Sequence, residues 1–411
     1  MSTTRRRASS LAAALLGLAA LTACSGGSDG SSATPSATSA RDIARTIGTA
    51  LDARADAVRH ADNAAFLRQV GGGRVFRDQQ QTWYDDLTQL PIAVLRYRVD
   101  PASLVRDGDA YWVTVRQALQ LDGYDAAPVV TEDRYRFAAA PHDPDRMRLV
   151  SVTDAEWEAE HDVRPQPWDT GAIQVRQAAG VLGIFDADSI DAAPALLTSV
   201  EEGISAVAAR VPYDWSRTVV VYALSDETFL DSLEDLPGDD PGDLDAVAFP
   251  VGESTRFVLN PAMLDRPGPD RDRLVRHELT HVAVGGHDDT APVWLSEGLA
   301  EWVSVAPVAP QDRRIPDEAL AAAEAGVSDL PDDETFNDED SEAHYGLAWF
   351  AVQYLADTYG EDAPWQLLDA VSAPGADVDT VLDEQFGTST HELAVQAGRL
   401  IVSLYDPSAG G

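Results

Sequence analysis

Two histidines four residues apart, with a glutamate beside the first, stand in the segment Arg271–Val284 (RDRLVRHELTHVAV): His277, Glu278 and His281, an H-E-x-x-H pattern. On a helix, a step of four returns a side chain to nearly the same face, so both imidazoles address one point. Two neutral imidazoles are good ligands for a divalent transition metal, Zn²⁺ foremost. Glu278 projects about 100° further round, close enough to touch a water on such a cation without being a ligand itself. Leu274, Val275, Leu279 and Val282 make the remaining inner stripe apolar. Two imidazoles and a carboxylate beside buried surface are costly without partners. Composition alone would produce this pattern in roughly one such chain in a hundred, so the segment calls for a helix packed on a core with a polar site upon it.

A second segment, Pro292–Val303 (PVWLSEGLAEWV), reads as another helix. Proline suits its first turn, and Trp294, Leu295, Gly298, Leu299 and Trp302 give it an apolar face. Glu297 and Glu301 lie one turn apart close to that face. Carboxylates beside Trp and Leu require a cation or a donor. Glu297 facing the metal would complete three protein ligands and leave a fourth position for water, the mark of a catalytic zinc site. Glu301 would then accept the spare ring N–H of a liganding histidine and hold its tautomer. The competing reading makes both glutamates solvated surface residues.

Together HELTH and WLSEGLAEW resemble the gluzincins, the zinc metallopeptidases that include thermolysin and the zinc aminopeptidases. The resemblance covers residues 166–407. It implies His277, His281 and Glu297 as ligands and Glu278 as general base. Fifteen residues separate His281 from Glu297, fewer than in the best-known members, as in shorter peptidase MA-like bacterial families. The G-x-M-E-N segment with which the aminopeptidases bind a free amine is missing, which favours an endopeptidase. A third helix begins in His344-Tyr345-Gly346-Leu347 and closes at Gly360. In similar gluzincins a tyrosine at the start of such a helix donates to the oxyanion. Tyr345 is the candidate, with His344 as its substitute, against a plain half-buried tyrosine bonded to a loop carbonyl.

The implied reaction is hydrolysis of a peptide or protein substrate. Zn²⁺ polarises the scissile carbonyl and acidifies water, while Glu278 takes the proton and returns it to the leaving amine. The strand Arg256–Asn260, just upstream, is expected to form an edge to which an extended peptide adds. A rival from another class is a lipid-anchored binding or scaffold protein with a vestigial metal site, and hydrolysis of some other bond is a third reading. His391-Glu392 is half a motif, because Val395 stands where a second histidine would fall. Ser389–Glu392 instead fits a capping box on the last helix. His287 reads as a loop histidine, and His60, His142 and His161 as surface residues.

The sole cysteine, Cys24, follows Arg5-Arg6-Arg7, the apolar stretch Leu11–Leu21, and Leu21-Thr22-Ala23. That order resembles the lipobox of bacterial lipoproteins. It implies cleavage after residue 23, a diacylglyceryl group on Cys24, and a protein held on the extracytoplasmic face of the cell membrane. Residues 24–40 read as a flexible Gly/Ser/Thr/Pro tether. Residues 41–165 divide into helices, then the alternating runs Ile92–Val99, Tyr111–Leu121, Val129–Ala138 and Met147–Val152, an antiparallel meander. By element order this part resembles the cone of the nuclear transport factor two-like superfamily. Pro165-Gln166-Pro167 marks the next boundary, and residues 166–407 read as a mainly helical domain with a small mixed sheet. The fold class is therefore α+β.

Acidic residues outnumber basic ones 69 to 30, all of the latter Arg, for a formal charge of −39. Such a field repels phosphate and argues against nucleic-acid partners. The acidic stretches Asp231–Asp245 and Asp329–Glu342 read as solvated loops, with a calcium site as the sharper alternative. Neither oligomeric state nor substrate identity is legible in these residues.

Overall fold

The computed structural model describes residues 37–406, apart from 162, 234–235, 237–241, 243 and 267. The expected signal segment, Cys24 and the tether up to residue 36 lie outside the described residues. Helix α1 (Ala37–Arg59) begins four residues before Arg41, so the last part of the expected tether is helical instead. It buries Ile47, Leu51, Ala55 and Val58 at three- and four-residue steps. A short α2 (Asn63–Arg68) follows, its N-terminus capped by Asp62, which accepts from the Ala65 N–H at 2.8 Å.

A third helix, α3 (Arg74–Leu87), fills the stretch before the first expected strand at Ile92, to which the sequence pattern assigned no element. Its buried face carries Gln80 and Asp86 among Trp83, Tyr84 and Leu87, so hydropathy alone hides its period. Five strands come next: β1 (Ile92–Val99), β2 (Val105–Asp107), β3 (Ala110–Leu121), β4 (Val129–Ala140) and β5 (Asp143–Ser151). They form one curled antiparallel sheet in the order β1-β3-β4-β5, with β2 paired to β3. The β2–β3 turn is at Gly108 and the β3–β4 connection begins at Gly123, both at positive φ as such turns require.

After two short helices, α4 (Ala155–Glu160) and α5 (Pro167–Thr170), comes a second sheet. Its strands are β6 (Gln174–Ala178), β7 (Val181–Phe185), β8 (Val219–Ala223), β9 (Ala246–Val251) and β10 (Ser254–Leu259), in the order β6-β7-β8-β10-β9. β7, β8 and β10 are parallel, while the outer strands β6 and β9 run antiparallel to their neighbours. The long helix α6 (Ala193–Ala208) links β7 to β8.

Every residue of β8 is buried, because this sheet is covered on both faces. Val219, Val221 and Ala223 pack with α6 and the C-terminal helices. Val220 and Tyr222 face a cluster shared with α2, α3 and the first sheet, including Phe66, Trp83 and Leu121. A buried ion pair joins the two sheets as well: Arg256 on β10 donates to Asp125 in the β3–β4 loop at 2.7 Å.

The strand expected to be an edge, Arg256–Asn260, lies inside the sheet as β10. The true edge is β9, folded back on β10 through Gly252, which takes φ +62. Pro250 on β9 lacks a backbone N–H, which weakened the strand signal and is compatible only with an edge.

The remaining chain is helical: α7 (Gly268–Val284), α8 (Val293–Ser304), α9 (Asp317–Ala325), α10 (Ser341–Tyr359), α11 (Ala363–Val371), α12 (Val378–Phe386) and α13 (Thr390–Tyr405). No described helix is long and apolar enough to cross a membrane. Ser389 caps α13, accepting from the Glu392 N–H at 3.2 Å, which is the serine half of the expected capping box; the Glu392 carboxylate accepts from Gln396.

Candidate metal centre

Helix α7 rests on the second sheet and on α6 through Val275, Leu279 and Ala283. That anchoring turns His277, Glu278 and His281 toward a cleft of about 890 Å³. β9 forms one wall, and α8 supplies Glu297 from another. The approach of α8 depends on Gly298, whose absent Cβ would stand 2.5 Å from the Ala348 carbonyl oxygen of α10.

Three acceptor atoms converge there. His277 Nε2 lies 3.1 Å from Glu297 Oε2 and 3.3 Å from His281 Nε2, and His281 Nε2 lies 3.5 Å from Glu297 Oε2. A tetrahedral zinc site with ligand bonds of about 2.0–2.1 Å spaces its ligand atoms about 3.3–3.4 Å apart. The observed triangle has that size. Among the described residues it is the one group of three potential ligands drawn together, and the acidic loops form none.

The surroundings fix how the rings face. His277 Nδ1 lies 3.0 Å from Glu301 Oε1, so its proton belongs on Nδ1 and the Nε2 lone pair points at Glu297. Arg273 in turn bonds to Glu301. His281 Nδ1 faces Asp288 at 3.6 Å, and Ser296 donates to the same Asp288 oxygen at 2.5 Å.

Lone pairs turned on one another need a cation between them. Burial drives the His277 imidazole down, but hydrogen bonds to Glu297 and Glu301 outweigh it and push its pKa up to about 9. Burial raises Glu301, yet the bond to His277 and the Arg273 charge hold it at about 2. Glu297 is held well below the usual carboxylate range by His281 and His277 against its burial. This donor set could hold a divalent metal ion.

Glu278 is buried, lines the cleft beside the ligand group, and is raised chiefly by its burial. Tyr345 reaches the same cleft; its ring centroid lies 6.1 Å from that of His277 and its O–H faces Asn337 Oδ1 at 3.4 Å. Burial, with Glu297 and Glu278 nearby, drives its pKa well above the ordinary phenol value, so it remains an O–H donor. His344, one residue earlier, turns elsewhere: its Nδ1 sits 2.9 Å from the Phe336 carbonyl and it does not line the cleft. The substitute role for His344 therefore has no geometric support.

His287 stacks on Tyr213 at 3.9 Å, and His391 Nδ1 sits by the Ser328 carbonyl. His60, His142 and His161 are exposed. Three contributors escaped sequence reading: the edge strand β9, Asp288, and Asp333, which accepts from the Val293 N–H at the start of α8 at 2.8 Å. An acid three residues after Gly285 was the visible trace of Asp288. No family model and no curated protein matches this chain.

Proposed function

We propose that this chain is a zinc-dependent metallopeptidase of gluzincin type, an endopeptidase acting on peptides or proteins. The observation that carries the reading is the triangle of His277, His281 and Glu297, sized for one zinc ion, with Glu278 beside it at an open cleft. A zinc ion held there would supply Lewis acidity toward a carbonyl oxygen and a water acidified toward a pKa of about 7.

The chain's own residues supply the rest. Glu278, buried and accepting from the Ala248 N–H of β9, takes the proton of the attacking water and passes it to the leaving amine. The Tyr345 O–H donates to the oxygen that gains charge. β9, the outer strand of its sheet among the described residues, offers its edge to an extended substrate beside the Ala248 N–H that Glu278 engages, holding the scissile bond over the ligand group. Glu301 and Asp288 keep the two imidazoles turned toward the metal.

The lipobox-like segment supports a lipid anchor on Cys24 and an extracytoplasmic position. Cys24→Ser would then release the protein into the medium, and unchanged retention in the membrane would oppose the anchor. For the activity, Glu278→Gln should keep one zinc per chain and lose about 10²–10⁴-fold in peptide hydrolysis. Full activity in that variant would remove Glu278 from the reaction.

A further inference from the structure

We propose that the cleft selects positively charged polypeptide, segments bearing Arg or Lys beside the bond presented to the site. The proposal rests on the peptidase reading for its reaction, though not for its binding.

Among the described residues, apart from the metal group and Glu278, every charged residue lining the cleft is acidic: Glu253, Asp288, Asp289, Asp333, Glu334 and Asp338. None of the described Arg residues lines it. The six come from three separate segments. Glu253 lies on the β9–β10 turn, Asp288 and Asp289 follow α7, and the other three precede α10.

The acid excess of the whole chain does not by itself produce this arrangement. Elsewhere carboxylates recruit Arg partners, as in Arg256–Asp125, Arg134–Asp154 and Arg273–Glu301. In the cleft, Asp288 faces His281 and Asp338 faces His344. Among the described residues, Glu253, Asp289, Asp333 and Glu334 have no cationic partner, and all four are exposed to solvent. One oxygen of Asp333 is engaged by the Val293 N–H, which leaves its charge uncancelled.

Charge of one sign along a low-dielectric groove focuses the field of a strongly anionic protein into that groove. A peptide added to β9 turns alternate side chains to opposite sides, toward walls whose charges, apart from the metal group, are carboxylates set among apolar and neutral polar residues. An acidic substrate would meet repulsion along the same path. Basic side chains gain there, and each exposed contact contributes about 1.5- to 5-fold.

The test uses zinc-loaded Glu278→Gln protein, so that binding is read without turnover. The probes are a fluorescein-labelled Ala-Ser peptide of about ten residues with Arg at alternate positions and its Glu counterpart. Fluorescence polarisation should give the Arg peptide an affinity about ten-fold higher or more, a gap that shrinks from about 0.05 M to about 0.5 M NaCl. A triple substitution, Glu253→Gln with Asp289→Asn and Glu334→Gln, should narrow the gap, while Asp52→Asn on α1 leaves it unchanged. Equal affinities, preference for the Glu peptide, or binding of neither would overturn the proposal. Wild-type digestion of both peptides separates the two ideas. Equal cleavage of both retains the peptidase and rejects the charge selection, whereas charge-selective binding without any cleavage does the reverse.

Discussion

Gly298 is one residue from the proposed ligand Glu297 and sits where α8 crosses α10. A Cβ there would stand 2.5 Å from the Ala348 carbonyl oxygen and 2.9 Å from a Val352 methyl. Ordinary carbon–oxygen contacts begin near 3.3 Å, so Gly298→Ala forces α8 outward by about 0.8 Å. The obstacle is helix backbone, which cannot swing aside as a side chain does. Overpacking of this kind costs about 1–3 kcal/mol of stability. Ligand distances tolerate only about 0.2 Å, so Glu297 would leave the triangle even in a folded protein. Zinc affinity, measured by competition with a chromogenic chelator, should fall by at least about ten-fold, and the melting temperature should drop. Gly48 on α1 is the control: nothing lies within 4 Å of its missing Cβ. Gly48→Ala should leave zinc binding alone and stabilise the fold by about 0.5–1 kcal/mol. A Gly298→Ala protein with wild-type zinc affinity and melting temperature would refute the claim that close helix packing places Glu297.

Asp288→Asn should weaken zinc binding by about 10- to 100-fold without abolishing it, because His281 loses the carboxylate that orients its ring. Removing the Asp125 carboxylate as Asp125→Ala leaves the Arg256 guanidinium buried and unpaired, and chemical denaturation should show a loss of about 3–5 kcal/mol. Asp86 is pushed up to about 7, mainly by burial, so between about pH 4 and 7 the folded chain holds a proton that the unfolded chain has released. Stability therefore declines as pH rises through that window. Asp86→Asn should flatten the part of the decline that Asp86 contributes, and an unchanged wild-type-like pH profile of melting would contradict it.

The metal group was legible because its geometry is local. The i, i+4 spacing of His277 and His281 and the one-turn spacing of Glu297 and Glu301 survive any packing of the helices that carry them. The choice between His344 and Tyr345 was not legible, since neighbours on a helix differ by about 100° and only tertiary contact decides which faces inward. The Phe336 carbonyl takes His344, and Tyr345 is left for the cleft. β9 was hidden by Pro250 and by the acidic stretch before it, and α3 by the polar Gln80 and Asp86 on its buried face. The α+β class, the curled antiparallel sheet and the small mixed sheet followed from alternating strands and from the all-apolar run of β8. That β10 is interior depended on pairing with β8 across long sequence separation, which no local pattern encodes.

The most direct measurement is anomalous X-ray diffraction at the zinc edge from crystals of the zinc-supplemented protein. The account predicts a single strong peak about 2.0–2.2 Å from His277 Nε2, His281 Nε2 and a Glu297 oxygen. A zinc-supplemented crystal with no peak inside that triangle, or with Glu297 turned out of it, would contradict the account.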